Sequence, residues 1–334
     1  METRKVYRTG GSTYVISLPK KWVENNKIRA GDSLVVTEQE SSLLIEPQME
    51  KVSRLIEITA SQVASKEALK RLIIAYYLVG YDTIKIKLNQ NSDGLKESIR
   101  HILDFLIGVE IVEDVGNLIT MEILLDHRRM PTHQVIERIH LINKSMLSDA
   151  IKVMENSNIL LANDVIARER EVDRLYFLVV RQLKSAVQYQ QVAKKLKIKN
   201  QRDSLGYRIV VKSLERIADH IENIMKSYLM LIEVEKKPEL REYVDVAKFI
   251  TEIYDTAVHA VFEKKRFTAE SVFQGLENSK KYHRQLSNHL FKEIGDVSLA
   301  IHRKSILDSL DRIAGYSSDI AEIALNMAVE FIEA

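Results

Sequence analysis

Twelve residues, SLERIADHIENI at Ser213–Ile224, return as SLDRIAGYSSDI at Ser309–Ile320 with six identities. A stretch repeated this way marks a duplicated supersecondary unit, and such units stack on their copies to bury a common core. The retained residues include Leu214/Leu310, Ile217/Ile313, Ala218/Ala314 and Ile224/Ile320. Their spacing is that of one apolar helix face. Among the replaced residues, Asp219 gives way to Gly315 and His220 to Tyr316. The two copies are therefore expected to share packing while their outward-facing acids and chemistry differ.

The region around the repeat, residues 129–334, is helical by pattern. Breaks are predicted at Asn156-Ser157-Asn158, at Lys197–Asp203, at Lys237-Pro238 and at Gly295-Asp296. With only 4 Pro and 11 Gly in 334 residues, long helices with short connections are favoured. The expectation is about six helices in two sets of three, repeat one at 129–237 and repeat two at 238–334. They form tandem three-helix bundles with the repeated stretch in the third helix of each.

Residues 51–128 read as strand, helix, strand, helix, strand, strand. TIKIKL alternates strictly, with Ile84, Ile86 and Leu88 on one face, as in a half-buried strand. SKEALKRLIIAYYLVGY is a helix capped by Ser65 and stopped by Gly80. The order suggests a small α+β sandwich, somewhat ferredoxin-like, acting as a spacer or dimerisation domain. Residues 1–50 hold short β-like runs and one short helix after Pro19, too little to bury a core alone. Residues 1–30 carry seven bases and two acids, residues 31–50 five acids and no base. A basic face arises there only if the fold gathers the early residues on one side.

Several function classes are disfavoured. Cysteine is absent, which removes disulfides and thiolate metal sites and fits a reducing cytoplasm. The longest apolar run, LIIAYYLVGY, is about half of the roughly 18 residues that span a bilayer. The polar, basic N-terminus predicts no signal peptide and a cytoplasmic protein. No nucleophile elbow or phosphate-cradling glycine loop is present, and Gly10-Gly11-Ser12-Thr13 reads as a hairpin turn. No enzyme activity is expected.

The candidate chemistry lies in carboxylates. Glu215 and Asp219 share a helix face, extended by Glu222 and Asn223, and Glu169 and Asp173 have the same spacing on the preceding helix. One such pair is weak evidence, since chance supplies about six in a chain of this acidity. Two pairs on neighbouring helices bring four carboxylates together, and a cation would relieve their repulsion. Hard oxygen donors suit Mg, Mn, Ca or Fe. His220 is a candidate ligand or supporting donor.

RKVYRTGGSTYVISLPKKWVENNKIRAGDSLVV resembles the AbrB/MazE/SpoVT DNA-binding domain, with its basic first strand, turn, proline-ended run, short helix and GD turn. That resemblance implies a swapped-hairpin β-barrel built by two chains, hence a homodimer. It also implies DNA contacts from Arg4, Lys5 and Arg8, from Ser12 and Thr13, and from Lys20 and Lys21. The family often carries helix bases a turn after the proline, where this chain has Val23 and Glu24. The departure implies either a displaced DNA-binding face or a domain that serves only for dimerisation or antitoxin-like contacts.

The bundle resembles the PhoU family. EREVD at Glu169–Asp173 and ERIADH at Glu215–His220 match its paired metal-binding motifs. The resemblance implies a metal site at Glu169, Asp173, Glu215 and Asp219 for Fe, Mn, Zn or Mg. In the second repeat Asp311 survives, Gly315 replaces the second acid and Glu277 is followed by Lys281, so that site is expected to be lost. The whole order resembles PhoU-related regulators with a DNA-binding head. It implies a phosphate-responsive transcription regulator with DNA, a second copy and phosphate-transporter or phosphate-signalling subunits as partners. The alternative is an interaction subunit that restrains a phosphate transporter, its β-module only a dimer clamp.

Overall fold

The structure is a computed structural model of Met1–Ala334. It describes all residues except 1, 40–41, 48–52, 61–62, 90–93, 127–128, 199, 201, 294–295 and 333–334. The domain boundaries expected at 50–51 and 128 and the break expected at Gly295 fall outside the described residues. The chain divides into two compact units, Met1–Ser53 and Arg54–Ala334.

In the first unit β1 (Tyr7–Thr9) pairs antiparallel with β2 (Thr13–Val15), Arg8 opposite Tyr14. The turn between them contains Gly10 at φ 63°, a left-handed conformation that glycine adopts without strain. Helix α1 (Lys20–Asn25) begins directly after Pro19, whose fixed φ suits a helix start. A second hairpin joins β3 (Leu34–Gln39) to β4 (Ser42–Pro47). Among the described residues these strands form two separate two-stranded sheets. Thr37 is the one buried residue among the described residues of this unit. Tyr14 is 71 % exposed, Leu43 65 % and Val36 58 %, so the unit lacks a core of its own.

The second unit opens with an α+β layer. It contains β5 (Leu55–Thr59), α2 (Lys66–Val79), β6 (Thr83–Lys87), α3 (Leu95–Leu103), β7 (Val109–Val115) and β8 (Leu118–Ile123). The element order is as expected. Ser65 caps α2 by accepting from Ala68 N at 3.1 Å, and Gly80 stops it at φ 98°. The strand order is β5-β6-β8-β7, with β5 and β6 adjacent and parallel. This departs from the ferredoxin-like arrangement, in which a strand separates the two strands of a βαβ unit. Here the α2 crossover returns the chain beside β5, and the β7–β8 hairpin adds to the free edge of β6. Ile84 and Ile86, on one face of β6, are 1 % and 0 % exposed, as the alternation predicts.

The rest is helical: α4 (Thr132–Asn156), α5 (Ile159–Gln188), short α6 (Gln190–Lys195), α7 (Asp203–Val234), α8 (Arg241–Glu263), α9 (Arg266–Glu293) and α10 (Val297–Ile332). The six long helices form the expected two sets of three. The repeated stretches lie on α7 and α10, and their shared Leu, Ile and Ala residues are all 0–1 % exposed. Hydrogen bonds join Arg216 to Tyr316, Asn223 to Ser309 and Ser227 to Ser305. The separation of the partners shrinks steadily along α7, the mark of antiparallel helices. The duplicated elements therefore pack on each other.

Apolar contacts through Leu78, Leu125 and Phe177 and a buried cation join the α+β layer to the bundle. Arg181 of α5 is 3 % exposed and donates to the carbonyls of Tyr77, at 2.6 Å, and Tyr81, at 2.8 Å, beside Asp82. These carbonyls end α2, where the helix dipole favours positive charge.

Candidate metal centre and nucleic-acid surface

Helices α5 and α7 pack through Val172, Leu175 and Tyr176 on one side and Val211, Leu214 and Ala218 on the other, all buried. That packing sets the neighbouring faces opposite each other, and those faces carry the acids. Carboxylate oxygens of Glu169, Asp173 and Asp219 lie within 4.8 Å of one another. Glu169 and Asp173 are half-buried and Asp219 is exposed at the edge.

Glu215, the fourth acid expected there, is 8 % exposed and not outward-facing. Lys212 holds both its carboxylate oxygens, at 2.5 and 2.6 Å. A carboxylate this deep needs a counter-charge, and the lysine one turn earlier supplies it. Lys212 Nζ also sits 5.0 Å from the Tyr176 ring centre. Sequence reasoning missed Lys212, although its spacing to Glu215 is that of a helical ion pair. Glu222 faces the cluster one turn beyond Asp219 and pairs with Lys226 at 2.7 Å. His220 is outside the cluster, its ring 5.8 Å from that of Tyr316.

The crowding shows in the acid strengths. Burial, then the charges of Asp173, Glu222 and Asp219, push Glu169 up to about 7. Burial, then Glu215 and Asp173, lift Asp219 to about 6, although much of that residue faces solvent. Asp173 is raised by burial and by Glu215. The cluster is thus a set of hard oxygen donors whose hold on protons is strengthened first by burial and then by the neighbouring carboxylates.

The candidate DNA-contacting residues are spread over the first unit. Lys5, Arg8, Ser12, Thr13, Lys20 and Lys21 are exposed, and Arg4 is half-buried. Arg4 pairs with Glu2 at 2.9 Å and donates to Ser17 Oγ at 3.2 Å. Arg8 donates to the carbonyl of Gly11 and fixes the first hairpin turn. Lys20 lies 3.8 Å from Glu24 on α1.

Residues 136–228 match the PhoU domain, and residues 7–52 match the antidote-toxin recognition domain MazE of bacterial antitoxins. The chain carries a PhoU domain and a MazE-type domain. Two solved structures have the same helical fold. The phosphate transport system regulatory protein PhoU of Streptococcus pneumoniae is 18 % identical with a TM-score of 0.51, the match covering 59 % of this chain and 92 % of that one. PhoU of Pseudomonas aeruginosa is 18 % identical with a TM-score of 0.52, over 60 % and 96 %. Among curated proteins nothing matches.

The matched PhoU domain runs from α4 to α7 and holds the acid cluster. The corresponding positions of α9 and α10 are built differently. Glu277 pairs with Lys280 at 3.1 Å, and nothing lies within 4 Å of where a Cβ on Gly315 would stand. Tyr316, in the place of His220, accepts from Arg216 at 3.1 Å. In the mirrored position Arg312 sits near His220, where burial, then Arg312 and Arg216, disfavour the charged imidazole. His220 and Tyr316 thus serve the contact between the two repeats.

Proposed function

We propose that this protein is a DNA-binding regulator of phosphate uptake, with a metal-binding PhoU domain as its sensor. The reading is carried by one observation: a MazE-type domain and a PhoU domain occur on a single chain. A homodimer follows from the thin first unit, whose exposed Tyr7, Tyr14, Val36 and Leu43 need a second chain to cover them. Arg4, Lys5, Arg8, Lys20 and Lys21 then provide phosphate contacts, with Ser12 and Thr13 at the turn.

Glu169, Asp173 and Asp219 fit a hard cation such as Mg, Mn or Fe, and would hold it with oxygen donors alone. A bound cation neutralises their mutual repulsion. Glu215 and Lys212 would brace the site from behind, since the lysine already satisfies both glutamate oxygens.

Gel shifts with the promoter of the protein's own operon, run over a salt series, test the DNA reading. Affinity should fall steeply with salt. Lys20→Ala/Lys21→Ala should weaken binding and flatten the slope by about one unit for each phosphate that the variant fails to neutralise. Unchanged affinity in that variant rules out these lysines as DNA-binding groups. A second reading is an interaction subunit of a phosphate transporter whose β-module only dimerises. It is favoured by the pairing of Arg4 with Glu2, Arg8 with Gly11 and Lys20 with Glu24, which occupies three of the five bases. Co-purification with a transporter ATPase without any gel shift would select it.

A further inference from the structure

A second group of potential ligands lies away from the acid cluster. His140 of α4 and Asp255 and His259 of α8 each offer one donor atom, all within 4.8 Å of one another. Asp255 and His259 are one helical turn apart, the spacing that aims two side chains at one point. His140 comes from the first set of helices and is 5 % exposed. Its position is held firmly. Tyr254 OH donates to its carbonyl at 3.3 Å, and fully buried Asn143, a turn away, donates to Leu214 O at 2.8 Å.

The contacts differ from those of an ordinary helix-packing ion pair. Nε2 of His140 is 3.0 Å and Nε2 of His259 is 3.6 Å from the same oxygen, Asp255 Oδ1. That oxygen is shut off from solvent and has no hydrogen bond of acceptable geometry. The other oxygen, Oδ2, is held by Lys144 Nζ at 2.8 Å, so the carboxylate presents Oδ1 alone to the imidazoles. The two rings stand edge to face, 5.8 Å apart. Tetrahedral zinc, with bonds of about 2.0–2.1 Å, sets its ligand atoms roughly 3.3 Å apart. The two distances, 3.0 and 3.6 Å, bracket that value.

We propose that His140, Asp255 and His259 form a binding site for a divalent transition metal of the zinc class, clasping α4 of the first repeat to α8 of the second. Two imidazoles and one carboxylate select borderline metals such as zinc or cobalt over magnesium and calcium. Three protein ligands leave a fourth position open to water or to a ligand from outside. Lys144 acts as the outer partner that keeps Asp255 bound through one oxygen. The metal would stiffen the junction between the repeats, and the site does not depend on the acid cluster or on the regulatory reading above.

The test is a cobalt titration of the full-length, chelator-treated protein, followed by the visible bands of a tetrahedral cobalt centre and reversed by zinc. A Glu169→Gln/Asp173→Asn/Asp219→Asn background removes the acid cluster from the readout. In that background the bands should persist at one cobalt per chain. Adding His259→Ala should weaken binding at least about tenfold and abolish the bands. The ring of His259 is largely exposed, so this variant should keep its helical circular dichroism. His140→Ala should act alike and serves as the second variant. Absence of the bands in the triple-variant background, or bands that survive His259→Ala in a folded protein, overturns the proposal.

Discussion

Glu215 shows how far a residue's type predicts its role. Its spacing to Asp219 made it a natural member of a carboxylate site, yet its side chain is buried and occupied by Lys212. The three acids left in the cluster have a testable consequence for the metal-free protein. Glu169 and Asp219 bind protons more tightly when folded than their ordinary values of 4.5 and 3.8. Between roughly pH 4 and 7 these two groups therefore hold more protons in the folded than in the unfolded chain. Their contribution to stability falls as pH rises, opposed by buried His140 and half-buried His220, whose charged forms are disfavoured. Solvent screening of these half-exposed groups keeps the effect on the order of 1 kcal/mol. In thermal melts in chelator from pH 5 to 7.5, Glu169→Gln should make the slope of the midpoint against pH more positive than in the unsubstituted protein. A slope left unchanged or made more negative by Glu169→Gln contradicts the assignment. Gly315 offers an independent check within α10. With open space around its missing Cβ, Gly315→Ala should stabilise the protein by about 0.5–1 kcal/mol in denaturant melts.

At the scale of elements, breaks with strong local chemistry were legible and those without it were not. Ser157 adopts φ 57° at the predicted break after α4. Asp296 opens α10 by accepting from Ser298 N at 2.8 Å. The turn between α8 and α9 rests on Lys264 at φ 51°, a residue with no preference for that conformation, and so gave no signal. Short α6, starting after Tyr189, was equally silent. Arg181 belongs to this scale because it caps one element from another. Arg181→Leu strips the donor from the carbonyls of Tyr77 and Tyr81 at the end of α2. It should cost about 3–5 kcal/mol, the penalty for breaking a buried charged pairing. Urea melts should show that destabilisation, and a change below about 1 kcal/mol would mean that the layers are held together by apolar packing alone.

At the scale of the whole molecule, the division after Ser53 predicts separable behaviour. Residues 54–334 produced alone should melt cooperatively, because both hydrophobic clusters lie within them. The full chain should sediment as a dimer, and the truncated chain should lose both DNA binding and the part of self-association owed to the first unit. Equal sedimentation of the two chains would place the dimer contact elsewhere. No helix among the described residues is long and apolar enough to cross a membrane.

The sequence by itself determined the tandem helical repeats, the caps of α2, the alternation of β6 and the one-turn spacing of Glu169 to Asp173 and of Glu215 to Asp219. All of these follow from periodicity or from chemistry within a few residues. Tertiary structure alone decided that β5 and β6 run side by side, that Glu215 is buried against Lys212 beside the cluster, and that Arg181 ties α5 to α2. It also brought His140 to Asp255 across 115 positions of chain. A local pattern specifies which face of an element is apolar. Which faces then meet is settled by packing the whole set of elements, and no short window of sequence contains that information.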